Sequence, residues 1–378
     1  MVVTPALQYG SWAWISDIIG QSPETISWTV VGYGRRPAGF DREHVRFLTV
    51  SVGDYVTVGR LMSRPALLWL NLLYVAPLCI LSVLYSWIYR PDVVIANGLA
   101  TSIMMAPAKW LTKGRLIVAF HGATGHWAPF VRHVLGSALK SVDRAICNSE
   151  GSVEDLALCI RNAPITHVPH WATPEFFGVP LAAHRSRPKG DLHITFVGRL
   201  DEEKVGQCLR VAEALMATGP ISLVVVGTGP LADQARGIGA QLCGYVSSPA
   251  EMAQHYAESD VTWSPADTTY LARPGIEALA SGCPIIVSDI PAVGGRCDGS
   301  VRIPHNLVPR DIGWVVDGSR DDEAIQILEG LRTVGGPPDH QREACRAYAQ
   351  EHHGLDNIED VISAIRATVT AVSPAAER

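Results

Sequence analysis

Several features that mark other protein classes are missing from this 378-residue chain. Its eight cysteines, Cys79, Cys147, Cys159, Cys208, Cys243, Cys283, Cys297 and Cys345, form no C-x-x-C pair and no zinc spacing with a histidine. They read as reduced, mostly buried thiols rather than as a disulfide framework or a metal site. Dense runs of Lys or Arg are absent too. Residues 1–180 hold 14 Lys and Arg against 11 Asp and Glu, the remainder 17 against 26, so the formal charge of -6 divides as about +3 and -9. Charge scattered in this way makes no nucleic-acid surface, and that function class is set aside. The opening Val2-Val3-Thr4-Pro5 has neither the charged nor the apolar region of a signal peptide and reads as a short first strand, so a cytoplasmic location is expected. No repeat occurs at a period of 20–50 residues.

What is present is a somewhat apolar composition, 47% hydrophobic and 18% charged, in a chain long enough for two domains. Short β-branched runs alternate with helical stretches: Ile26–Gly32, Val45–Val50, Val93–Ala96, Leu116–Phe120, Ala145–Asn148 and Ile165–Pro169. This predicts an α/β domain on a parallel sheet. A polar, Pro-containing stretch around residues 183–190 interrupts the pattern and reads as a linker. A second alternating series follows, with strands at His193–Val197, Leu223–Val226, Val261–Trp263 and Ile285–Val287. The expected division is therefore residues 1–182, a linker at 183–190, a second domain at 191–350, and a C-terminal helix with a frayed tail at 351–378. Helix formers dominate from Asp321 onward and predict two or three helices.

Residues 66–89 carry no charge at all and are flanked by Arg60, Arg64 and Arg90. The length would cross a bilayer, but the strand Val93–Ala96 resumes at once, and a crossing would split one sheet between two compartments. A helix broken near Pro77 and lying on a membrane surface fits better. Trp69, Tyr74, Tyr85, Trp87 and Tyr89 are side chains favoured at such an interface. A helix wholly buried in the first domain, and a true span, stay open as alternatives.

Three segments carry the chemistry. The strand Ile194–Val197 runs into Gly198-Arg199 and then Lys204 at a helix start. Two cations beside helix-end amides can share the charge of a diphosphate, and a glycine lets backbone come close; surface charges capping a helix would give the same pattern. The next strand ends in Gly227-Thr-Gly229-Pro230, at the carboxyl edge where ligands bind in parallel sheets. A loop through Thr269, Arg273 and Gly275 then leads to Glu277, whose carboxylate can hold a vicinal diol bidentately.

In this order and spacing the three segments resemble glycosyltransferase family 4, whose signatures are G-R-x-x-x-x-K, G-x-G-P and an E-x7-E stretch. The similarity covers about residues 191–316. It implies a GT-B fold, two Rossmann-like doubly wound domains facing a central cleft with C-terminal helices, and a retaining, metal-independent enzyme. A nucleoside-diphosphate sugar is then the donor substrate, and no cofactor is expected. Arg199, Lys204 and His121 become candidate catalytic residues, His121 because it follows the strand Ile117–Phe120 where many family members place a histidine. Gly10, in what reads as a loop after the first strand, and Gly198, Gly227, Gly229, Val246, Thr269, Arg273, Gly275 and Glu277 become candidate donor-binding residues. One departure stands out: the first Glu of E-x7-E falls on Thr269, and Arg273 could supply compensating phosphate charge. His126, Trp127 and Trp171, with His167 and His170 beside them, are candidate acceptor lining. With the apolar segment, the resemblance suggests a hexose-type sugar transferred to a lipid-linked acceptor at the inner face of the membrane. A soluble acceptor, a sugar-nucleotide 2-epimerase and a non-catalytic sugar-nucleotide binder remain alternatives.

Overall fold

In the computed structural model, residues 1–5, 7, 9–37, 42–50, 68–112, 114–121, 136–181, 190–265, 271–289 and 308–370 are described. The chain divides into two compact units, Met1–Val168 together with the segment from Asp356 onward, and Pro169–Leu355.

The first unit is built on a seven-stranded parallel sheet in the order β3-β2-β1-β4-β5-β6-β7. The strands are β1 (Val2–Thr4), β2 (Trp28–Tyr33), β3 (Val45–Val50), β4 (Val93–Asn97), β5 (Arg115–Phe120), β6 (Arg144–Cys147) and β7 (Ile165–His167). β4 is buried at every residue and β5 at all but its first, as expected for strands covered on both faces. The helix α1 (Tyr9–Gln21) follows β1.

The uncharged segment forms one continuous helix, α2 (Leu68–Tyr89), with Pro77 inside it. The expected break at Pro77 does not occur. A proline removes one backbone donor, but packing along about three turns holds the helix together: Val75, Leu78, Cys79, Ser82 and Ser86 are buried, and the first three belong to the core of this unit. The two serines survive burial by donating back to the helix, Ser82 Oγ to the Leu78 carbonyl at 2.8 Å and Ser86 Oγ to the Ser82 carbonyl at 2.7 Å. The other face is open. Leu73, Ile80, Leu84, Trp87, Ile88 and Tyr89 are all more than half exposed, Trp87 at 62%. The helix is thus neither wholly buried nor free of the protein.

The second unit holds a six-stranded parallel sheet in the order β10-β9-β8-β11-β12-β13. Its strands are β8 (Leu192–Val197), β9 (Ile221–Val226), β10 (Gln241–Gly244), β11 (Val261–Pro265), β12 (Ile285–Asp289) and β13 (Gly313–Asp317). Two apolar clusters fill it, one around Phe196, Leu209 and Trp263, the other around Tyr256, Leu279 and Ile285. A buried ion pair ties the amino end of β11 to a C-terminal helix: Asp260 accepts from the His193 amide at 2.8 Å and faces the Arg342 guanidinium at 3.4 Å, and Arg342 also donates to the Ser259 carbonyl at 3.0 Å.

The unit boundaries differ from the expected ones. The chain enters the second unit at Pro169 rather than after a linker at 183–190, because α3 (Pro174–Phe177) inserts Phe176 into the second unit's core. The final helix, α4 (Asp356–Thr370), returns to the first unit. There Arg144 holds it, Nε donating to Thr368 Oγ1 at 2.8 Å while NH1 donates to Thr166 Oγ1 at 2.8 Å. Residues 182–189 lie outside the described residues.

Candidate active site

The chemistry-bearing segments of the second unit meet at the carboxyl edge of its sheet. β8 is central; the strand after it, β9, lies on one side and β11 on the other. Such a reversal of strand order opens a crevice for ligand at the ends of the two strands. Past β8, Gly198 begins a turn that ends at Asp201, the N-cap of α5 (Glu202–Met216). One oxygen of Asp201 accepts from the Lys204 amide at 3.0 Å, and the other pairs with Arg199 Nε at 3.0 Å. A single carboxylate therefore caps the helix and tethers Arg199 at its amino end, with Lys204 in the first turn.

The two glycine-bearing turns interlock. The Gly198 amide donates to the Val226 carbonyl at 3.0 Å, the Leu200 amide to the Thr228 carbonyl at 3.1 Å, and the Gly227 amide to the Gly244 carbonyl at 2.7 Å. Gly227 has φ +139°, and a Cβ there would collide with the Gly198 carbonyl oxygen; a Cβ on Gly229 would strike Leu200. Glycine at these positions is required by the closeness of one turn to the other. Val246, past β10, is half-buried and packs on the second unit's core.

Beyond β11, α6 (Arg273–Ala280) carries Glu277. Gly275 lets this helix sit close to β11, since a Cβ would lie 2.9 Å from Ser264 Oγ. Glu277 is held at both oxygens: Arg273 Nε donates to Oε1 at 2.7 Å and the Tyr256 hydroxyl to Oε2 at 3.3 Å. Tyr256, from α7 (Pro249–Ala257), is fully buried. Burial first, and the Glu277 carboxylate second, push its hydroxyl pKa well above the usual value, so it remains a donor.

In the first unit the same reversal of order falls between β1 and β4. His121 follows β5 directly, and its Nε2 lies 2.6 Å from Asn97 Oδ1 at the end of β4. Asn97 Nδ2 in turn donates to Thr4 Oγ1 at the end of β1, 3.3 Å away. With the amide thus oriented, Nε2 carries the imidazole proton. The ring of Trp14 meets His121 edge-on at 4.9 Å. Burial lowers the His121 pKa to about 4, so the ring is neutral at pH 7.

Two family signatures match the chain, one described as Glycosyltransferase Family 4 over residues 28–176 and one as Glycosyl transferases group 1 over residues 191–313. The chain is a GT-B-fold glycosyltransferase resembling family 4. Among solved structures, this glycosyltransferase is similar to Anabaena Alr3699/HepE in complex with UDP and glucose, at TM-score 0.70 and 15% identity over 97% of this chain and 98% of that one. It is also similar to sucrose-phosphate synthase from Thermosynechococcus elongatus (TM-score 0.71, 15% identity, 95% and 92% covered) and to the lipopolysaccharide outer core galactosyltransferase WaaB in apo form (0.63, 15%, 97% and 98%). No curated protein sequence matches the chain.

The remaining candidates of the glycosyltransferase fall unevenly. Gly10 lies in the first turn of α1 rather than in a loop. Trp171 is 1% exposed and lies in the buried interior; a Trp following a strand carries no sign of which way it will pack. His167 ends β7, and the His170 carbonyl accepts from His353 Nδ1 at 2.7 Å. Thr269, His126 and Trp127 lie outside the described residues. Three residues of the site escaped the sequence reading: Asn97, Asp201 and Tyr256. Asp201 had a signal, an Asp directly before a Glu-Glu helix start. Asn97 and Tyr256 act through partners 24 and 21 residues away, which no local pattern reveals.

Proposed function

We propose that this glycosyltransferase moves a hexose-type sugar from a nucleoside-diphosphate donor to an acceptor hydroxyl at a membrane surface, with retention at the anomeric carbon. The observation that carries the donor half is the pair of interlocked glycine turns presenting Arg199 and Lys204 at the amino end of α5. The bond from the anomeric carbon to the β-phosphate oxygen breaks, and the charge that develops on the phosphate is met by these two cations and the helix-end amides. They supply the positive charge that a divalent ion would otherwise bring, so transfer proceeds without a metal. The acceptor oxygen bonds to the anomeric carbon on the face the phosphate leaves, and its proton passes to a phosphate oxygen. Glu277 takes the ribose diol. Neutral His121 gives its Nε2 proton to Asn97 Oδ1, so a sugar hydroxyl would donate to its Nδ1. The UDP in the HepE structures supports this donor class.

The acceptor half rests on α2. Its outward face, Leu73, Ile80, Leu84, Trp87, Ile88 and Tyr89, is apolar with aromatic residues at one end. Arg46 sits over the Tyr89 ring at 5.8 Å, and exposed Arg90 follows. Apolar area, interfacial aromatics and cations together suit the surface of an anionic bilayer. A helix packed on the sheet by one face presents the other as a peripheral contact, and a lipid-linked acceptor at the inner, cytoplasmic face fits it. The seven described cysteines are unbridged, in keeping with a reducing compartment.

Two assays test the proposal. Labelled nucleotide sugars with a polyprenyl-diphosphate-sugar acceptor should yield a product of the donor's anomeric configuration, undiminished by EDTA; turnover without acceptor would make the protein an epimerase instead. The enzyme should sediment with vesicles containing phosphatidylglycerol, and Leu84→Ser/Ile88→Ser should release it. Absence of vesicle binding with full activity on a soluble acceptor would overturn the membrane half alone.

A further inference from the structure

The Glu277 carboxylate is reached from two of the described elements, and these two contacts are made to different oxygens. Arg273 lies four residues earlier on the same helix, at the spacing that brings side chains together on one face. Tyr256 approaches from α7, buried among Phe176, Ala278 and Leu279. A carboxylate turns easily about its last bond, and its four acceptor directions lie in its own plane. One donor on each oxygen fixes that plane. Arg273 also places its guanidinium 2.7 Å from a carboxylate whose side chain is only 12% exposed.

We infer that Tyr256 and Arg273 are positioning residues that set the plane of the Glu277 carboxylate for bidentate capture of the donor's ribose 2′- and 3′-hydroxyls. The inference rests on the donor reading above and deepens it: it makes recognition of a ribonucleotide over a deoxyribonucleotide a property of a three-residue unit. Vicinal hydroxyls must reach both carboxylate oxygens at once, so a rotated carboxylate keeps one contact and loses the other. A structural role for Tyr256 or Arg273 would change stability, or the binding of every nucleotide equally, and would leave the ribose preference intact.

The test is the ratio of affinities for a nucleoside diphosphate and its 2′-deoxy counterpart, measured by calorimetry with whichever of UDP, GDP or ADP the wild-type enzyme binds most tightly. Wild type should prefer the ribonucleotide by about tenfold, the value of one charged hydrogen bond. Tyr256→Phe and Arg273→Met should each narrow that preference to about threefold or less, with affinity for the deoxynucleotide nearly unchanged, and Glu277→Gln should abolish it. Melting temperature confirms that each variant is folded, and Arg273→Lys, which keeps the charge, should restore part of the preference. Folded variants that keep the wild-type ratio would overturn the positioning roles while leaving the donor reading in place. Failure of the wild type to bind any of the three nucleotides would overturn the donor reading itself.

Discussion

Asp201 offers a prediction in which two contributions separate cleanly. Its one carboxylate caps α5 through the Lys204 amide and holds Arg199. Losing an N-cap costs about 1 kcal/mol. The ion pair contributes less, about 0.2–1 kcal/mol, because the Arg199 side chain is 46% exposed and water and salt screen it. Asp201→Ala removes both. Asp201→Ser keeps an oxygen that can accept from the Lys204 amide and removes only the tether. For a unit of this size about 1 kcal/mol corresponds to about 2–4 °C, so Asp201→Ala should melt lower by that amount or slightly more, and Asp201→Ser by about 1 °C. Affinity for nucleoside diphosphate should behave differently. Both variants free Arg199 from its position at the helix end, so both should bind about threefold more weakly, equivalent to about 0.7 kcal/mol. Scanning fluorimetry and calorimetry on the three proteins measure the two effects. The reasoning fails if Asp201→Ser is as destabilised as Asp201→Ala, or if nucleotide affinity tracks melting temperature instead of the tether.

Two further perturbations follow from buried groups. Asp260→Ala or Arg342→Ala alone should cost about 3–5 kcal/mol by leaving a buried charge without its partner, whereas Asp260→Ala/Arg342→Ala together should cost less than the sum of the singles; urea unfolding of the second unit reads this, and additive losses would show that the pair is not coupled. His353 has its pKa lowered from 6.5 to about 4, chiefly by burial, as does His121. The unfolded chain then binds more protons than the folded one, so stability is full above about pH 6.5 and declines as pH falls toward about 4. His353→Asn should flatten that decline in unfolding titrations at several pH values, and an unchanged slope would assign it to other groups.

The sheet strands were the most legible part of the chain. β4, β5 and β12 are buried β-branched runs with turn residues at their ends, and such runs announce themselves. β10, Gln241–Gly244, was missed because it holds no β-branched residue and lies at the sheet edge, and β13, Gly313–Asp317, is the opposite edge strand. The unit boundaries were misplaced for a different reason. A polar linker marks a change of composition, but the segment after Pro169 and the final helix are assigned to their units by packing, Phe176 in one core and Arg144 bonded to Thr368 in the other. In the site, Gly227 and Gly229 were readable because only glycine permits one turn to lie against the next. The partners of two candidate site residues, Asn97 behind His121 and Tyr256 behind Glu277, come from other elements and were invisible until the fold brought them together.

The turn after β8 is proposed to bind a diphosphate. Calorimetric titration of UDP, GDP and ADP into wild type and Arg199→Ala/Lys204→Ala tests it most directly. Each charge-assisted hydrogen bond lost is worth about 1.5–3 kcal/mol, so at least one nucleotide should bind wild type and bind the double variant more than tenfold more weakly, with the variant still folded. Equal affinity in the two proteins, or no binding of any of the three to wild type, would contradict the account.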